Sequence, residues 1–357
     1  MAETPLEQAA AAPRPRVVER LRAAPGAVAL GTLAAIVVAY VATAAAIGGF
    51  EMLLDAEDPF HIQAEVRFDL VIALVLAFVL WTVLREPRAT ARDLTGLRPI
   101  LDCSDAEHAA LLQEALSAGH SVAAGLLGAS LGLGVVLLTT WASPSGAVDP
   151  PPAHPLTASF RLASSIALNA GLFGLMGRLA LASIRVSRLF AELGRRRVRL
   201  RLLDPGSLQP FARRGLRSAS YWFIGSGIAM LLLVDAAVPG LIAAVIAGTL
   251  ALGVVSLLLP SRGIHQQLRE AKHAELARVR QLIERRSREL FEPEDAAAPD
   301  RQPPLPALLA WEARIESVRE WPFDTPTLVR FALFLLIPLG SWLGGAVVER
   351  VVDLGLD

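Results

Sequence analysis

The sequence predicts an all-α fold, a bundle of seven transmembrane helices with an inside N-terminus, an outside C-terminus and a cytosolic anchor made of extended helices. Three observations lead there. First, 54% of the 357 residues are hydrophobic and only 19% are charged, too apolar for an ordinary soluble domain. Second, the apolar residues gather into seven stretches, most of them near the roughly twenty residues that cross a bilayer core of about 30 Å. Third, arginines cluster in alternate connections, as the positive-inside rule requires of a multi-pass chain.

Residues 1–22 read as a disordered Ala/Pro-rich tail that carries Arg14, Arg16, Arg20 and Arg22 ahead of the first span. The first span runs from about Ala27 to Gly49. Ala42-Thr43-Ala44 resembles a signal-peptide cleavage site, but the apolar run exceeds the roughly 7–15 residues of an h-region, which favours an uncleaved span. An acidic loop, 50–69, leads to a second span from Leu70 to Leu84, and Arg85, Arg88, Arg92 and Arg98 follow it. Ser104-Asp105-Ala106-Glu107 fits a capping box opening a short helix to Ala118.

The third span, Val122 to Trp141, holds Gly125, Gly128, Gly132 and Gly134, a small-residue face suited to close helix packing. The fourth, Phe160 to about Ser183, continues as a helix through Val186, Leu189, Phe190 and Leu193. Residues 183–218 contain ten Arg against two acids, Glu192 and Asp204. After the Asp204-Pro205-Gly206 turn signal a helix rises from Ser207 into the fifth span, Ala219 to Ala237, and the sixth runs from Leu241 to Leu259. A charged helix, Ser261 to Leu290, carries one apolar stripe, open either to coiled-coil pairing or to packing on the neighbouring cytosolic helices. Leu308, Trp311, Ile315 and Val318 mark a short amphipathic helix. The seventh span, Thr325 to Val348, opens with Thr325-Pro326, kinks at Pro338 and carries Gly340 and Gly344 as G-x-x-x-G. The chain thus divides into 1–22, spans one to six in 23–260, anchor helices in 261–321, and the seventh span with its outer tail in 322–357.

The chemistry-bearing residues are sparse. Cys103 is the only cysteine, and no His, Asp or Glu group has metal-ligand spacing, so no metal, cofactor or enzymatic activity is expected. Gly128-Ala129-Ser130-Leu131-Gly132 matches G-x-S-x-G but lies inside an apolar helix, where a nucleophile elbow does not form. The Arg-rich segment 185–217 almost lacks aromatics and borders two spans, which points to lipid headgroups and not to nucleic acid. Within the spans, Thr139, Thr140, Ser165 and Asn169 are the polar groups that outline a cavity between spans three and four. Arg178 is read as snorkelling to the inner interface, and His265 and His273 as solvated.

An inside N-terminus, spans four to six extended into the cytosol, and a seventh element split into 306–321 and 326–348 together resemble the insect odorant- and gustatory-receptor type of seven-transmembrane ion channel. The stretch REWPFDTPTLVRFALFLLIPLGSWLGG is also similar to one that recurs in prokaryotic membrane proteins. The resemblance implies a chemoreceptor-like homotetramer in a bacterial or archaeal inner membrane. Four seventh spans would line a central cation pathway through Phe334, Ile337, Ser341, Gly345 and Val348. A small-molecule ligand would bind in the outer half, among spans two, three, four and six. A non-conducting scaffold or sensor, whose cytosolic helices dock a partner through the 261–290 stripe, is the alternative.

Overall fold

The structure, a computed structural model, describes residues 24–47, 64–142, 155–200, 202, 204–233, 239–291, 304–321 and 323, with 326, 329–334, 336 and 340 of the seventh stretch. Among the described residues there is no β-strand. The α-helices are α1 (Pro25–Ile47), α2 (Ala64–Leu97), α3 (Asp105–Ser117), α4 (Val122–Ala142), α5 (Pro155–Arg196), α6 (Gln209–Ala229), α7 (Pro239–Phe291) and α8 (Leu305–Glu316). Five described segments are long and apolar enough to cross a membrane: Pro25–Thr43, Val66–Ile100, Asp105–Leu138, Leu162–Arg196 and Ala243–Arg288. The chain is a multi-pass helical protein of membrane-like character. Of the expected fifth span, residues 219–233 are helical, and most of the expected seventh lies outside the described residues.

Helix continuity exceeds what the sequence punctuation suggests. Helix α7 runs from the expected sixth span through Pro260 into the charged stretch as one 53-residue helix. Likewise α2 runs through Pro87 well past its apolar part, to Leu97. The expected extension of span four is observed as far as Arg196. The start of α3 is the capping box its sequence spells. Ser104 Oγ accepts from the Glu107 backbone N–H at 3.2 Å, and Glu107 Oε2 accepts from the Ser104 N–H at 2.8 Å.

Two apolar cores stack along the bundle. One joins α1, α2, α5, α6 and α7 around Ile72, Val79, Leu172, Phe173, Trp222 and Ile246. The other, at the Arg-rich end, joins α2, α3, α5, α6 and α7 around Leu94, Leu97, Phe190, Phe211 and Ile264. The turns at that end are stitched by the backbone. Asp102 N–H donates to Arg197 O at 2.7 Å, and Arg199 N–H donates to Ile100 O at 2.8 Å. Much of the stripe on the charged part of α7 packs within the chain. Ile264 and Leu268 enter the Arg-end core, and Leu276 and Val279 pack with Ile315 of α8. Arg280 reinforces that pairing with Glu312 at 2.7 Å and Glu316 at 2.8 Å. Lys272 Nζ closes α8, donating to the Glu316 and Val318 carbonyls at 2.9 and 2.8 Å.

The glycines of α4 divide by face. A Cβ on Gly132 would lie 2.6 Å from the Asn169 carbonyl oxygen, and one on Gly128 would collide with the Phe173 carbonyl. Gly134 has nothing within 4 Å. The backbones of α4 and α5 therefore touch, as a small-residue face allows. Leu126, Leu127, Leu131 and Leu137 point away from the chain, a lipid-facing surface in a protein of this composition. Gly128→Ala is expected to lower stability by about 1–3 kcal/mol through overpacking, and Gly134→Ala to change it by no more than about 1 kcal/mol. Thermal unfolding of both variants in one detergent checks this.

Candidate functional site

Between the walls of α2, α5, α6 and α7, closed on one side by Val135 of α4, lies a cavity of about 80 Å³. Apolar side chains, Phe68, Phe78, Leu172, Phe173, Met176 and Trp222 among them, make most of its surface. Four polar residues enter it: Asn169, Tyr221, Ser226 and Thr249. Asn169 is 2% exposed, and its amide donates to the Ser165 carbonyl one helical turn back, at 3.0 Å. The hydroxyls of Ser226 and Thr249 lie 2.6 Å apart and bridge α6 to α7. The Tyr221 hydroxyl is buried and has no hydrogen-bond partner among the described residues. An apolar space with a few convergent polar groups is the usual form of a small-molecule site. Its size is about half the roughly 150 Å³ that accommodates a benzene ring, so a larger occupant needs side chains to move.

The sequence-derived candidates fall in different places. Asn169 lines the cavity, while Ser165 lends it only a carbonyl that anchors Asn169. Thr140 is exposed, its hydroxyl turned to the carbonyls of Val136 and Leu137 in its own helix. The Thr139 side chain, Ile337, Ser341, Gly345 and Val348 lie outside the described residues. Phe334 is half-buried and packs with Phe331 against Phe223, Leu257 and Phe323. His265, expected in solvent, is half-buried: Trp321 stacks on it at 4.1 Å, and its Nδ1 lies 2.9 Å from the Glu320 carbonyl oxygen. The chain after α8 folds back over α7 there, a contact that a helix periodicity cannot announce.

Polar clusters lie at either end of the first core. At the end away from the arginines, the Tyr40 hydroxyl donates to the buried Asp69 carboxylate, and Ser164 Oγ donates to the same carboxylate at 3.2 Å. This ties α1, α2 and α5 together. Sequence reading assigns Asp69 to the acidic loop, and only its position within helix α2 reveals it as an internal group. At the Arg-rich end, Arg214 is 1% exposed and ion-paired with Glu86 of α2. Arg217 bridges Glu86 at 3.3 Å and the buried Asp93 at 2.6 Å. Thr90 donates to Glu86 at 3.0 Å. Burial pushes the Arg214 guanidinium down, to about 9, so it stays protonated at neutral pH. A run of three basic residues, Arg213, Arg214 and Arg217, gives no sequence sign that the middle one is enclosed.

No protein-family model, curated protein or solved structure matches the chain.

Removing one partner of a buried ion pair leaves an uncompensated charge, which typically costs about 3–5 kcal/mol. Glu86→Gln is therefore expected to destabilise the protein strongly. Asp102→Asn, which breaks an exposed pair with Arg199, is expected to cost about 1 kcal/mol or less. Chemical denaturation monitored by tryptophan fluorescence separates the two.

Proposed function

We propose that the chain is a subunit of a homotetrameric, ligand-gated cation channel in a bacterial or archaeal inner membrane. A small molecule binds in the cavity of each subunit, and four copies of the seventh span, through Phe334, Ile337, Ser341, Gly345 and Val348, line the ion pathway. One observation supports this reading above others. Consecutive residues of α6 face the two parts that gating must join. Trp222 lines the cavity, and Phe223 packs edge-on against Phe331 of the seventh stretch, ring centroids 5.5 Å apart. A ligand that presses on Trp222 bears on the same turn of α6 that carries Phe223. The side chain of Phe223 is fully buried and lies against Gly253 of α7, so it has no slack to absorb the shift.

Coupling of this kind requires the ligand to bind the open and closed states with different affinity. The long helices supply the second arm. α5 and α7 line the cavity and continue unbroken into the Arg-rich end, where α8 docks on α7. The sensor alternative shares the cavity and these helices but lacks conduction. Ile264 and Leu268 of the α7 stripe are already covered in the Arg-end core, and Leu276 and Val279 by α8, so these residues are not open to a docking partner.

Gly225 offers a direct test. It lines the cavity, and a Cβ there would meet the Phe78 ring at an ordinary 3.5 Å. Gly225→Leu is expected to fill the space without disturbing the backbone. A panel of small apolar alcohols, ketones and phenols, screened by quenching of tryptophan fluorescence, is expected to yield a binder to the wild-type protein. Its affinity should fall by about tenfold or more in Gly225→Leu, the equivalent of about 1.4 kcal/mol. The same ligand should alter cation flux into proteoliposomes. Binding with no flux at any ligand concentration supports the sensor reading.

A further inference from the structure

A second pocket, of about 50 Å³, lies at the Arg-rich end, with Leu179 forming a wall between it and the cavity above. Glu86 and Thr90 of α2, Gly119 after α3, Arg178 of α5 and Arg214 of α6 contribute its polar wall. At about 10–15 Å³ per water it has room for roughly three to five waters, or one tetrahedral oxyanion.

The charges around it do not cancel. Its lining carries Arg178 and Arg214 against Glu86, two positive groups against one negative, and behind it Arg217 is balanced by Asp93. Both carboxylates are committed: Glu86 to Arg214 and Arg217, Asp93 to Arg217. Arg178 has no carboxylate partner among the described residues. Its Nε donates to the Gly119 carbonyl at 3.1 Å, which holds the guanidinium in the pocket wall instead of letting it reach toward solvent. The buried Nε of Arg214 has no acceptor among the described residues. A buried donor without an acceptor is costly, and an unpaired guanidinium in a pocket more so.

We infer that this pocket is an oxyanion site that takes a phosphate group, with Arg178 as the main ligand and the Arg214 Nε as a second donor. Planar guanidiniums suit phosphate because paired N–H groups match its oxygens. The flanking Arg85, Arg88, Arg185 and Arg188 lie on the same stretch of the bundle, where the apolar part of the helices gives way to charge. Lipid phosphates collect at that level of a membrane protein. An anionic lipid headgroup and a free phosphate share the chemistry, and the experiment separates them. Glu86 keeps the site selective, since it repels an anion unless both arginines engage it. Bound phosphate would tie α2, α5 and α6 together at the point where the two cores meet. The site stands independently of the ligand cavity and of conduction.

The test is a thermal-shift titration of the full chain in an uncharged detergent and phosphate-free buffer. The probes are dihexanoylphosphatidylglycerol, inorganic phosphate, and dihexanoylglycerol, which has no phosphate. The phospholipid is expected to raise the melting temperature saturably, with an apparent affinity about tenfold weaker in Arg178→Gln. Arg185→Gln, on the exposed surface, should change it by about twofold or less. If Arg178→Gln does not fold, Ala182→Leu, which narrows the pocket from α5, carries the same expectation. A matching effect of inorganic phosphate assigns the site to the free anion, and its absence assigns it to the lipid. An equal shift from dihexanoylglycerol, a response unchanged in the pocket variant, or no shift from either phosphate compound overturns the inference.

Discussion

Arg214 is buried where two apolar cores meet, and its charge has to be answered inside the protein. Much of the arrangement follows from that constraint. Glu86 sits on α2 just beyond the apolar stretch, so the helix must continue through Pro87 to bring Asp93 into reach of Arg217. α6 must then lie against α2 with its basic face turned inward and its aromatic residues, Trp222 and Phe223, deeper in the bundle. A pair of surface charges fixes little, because water competes for both partners. An enclosed pair tolerates few geometries, since any loosening leaves a charge without a partner.

Backbone proximity adds the second fixed point. α4 and α5 touch through Gly128 and Gly132, and α5 and α7 do so through Gly263, whose Cβ would meet the Ala191 carbonyl. In lipid there is no hydrophobic drive between helices, so close van der Waals contact and internal polar bonds carry the association. Tyr40, Asp69 and Ser164 supply such bonds at one end, and Ser183 with Ser218 and Ser256 supply them further along. The cavity persists between these ties because Phe78, Phe173 and Trp222 are held by the neighbouring contacts and do not collapse into it.

Local features were legible in the sequence where a few adjacent residues decide the outcome. The capping box at Ser104 and Glu107, the glycine face of α4, the extension of α5 and the apolar stripe of α7 all follow from spacing. Asn169 was legible as an internal polar group because lipid-exposed amides are costly. The stretch through Pro87 was not, since proline reads as an interruption and tertiary packing carries the helix past it. Tyr221, Trp222, Ser226 and Thr249 escaped notice because they come together from two helices and look like ordinary core residues in either. Asp69 and Glu86 escaped for a related reason: each sits at the edge of a charged run, and only the fold shows which member of the run is enclosed.

In the proposed channel each subunit holds a ligand and ions pass between subunits, not through one. Native mass spectrometry of the full chain released from nanodiscs counts the subunits. A complex of four is expected, so that four seventh spans surround one axis. A monomer or dimer under the same conditions rules the channel out, because one or two copies of that span cannot enclose a pathway.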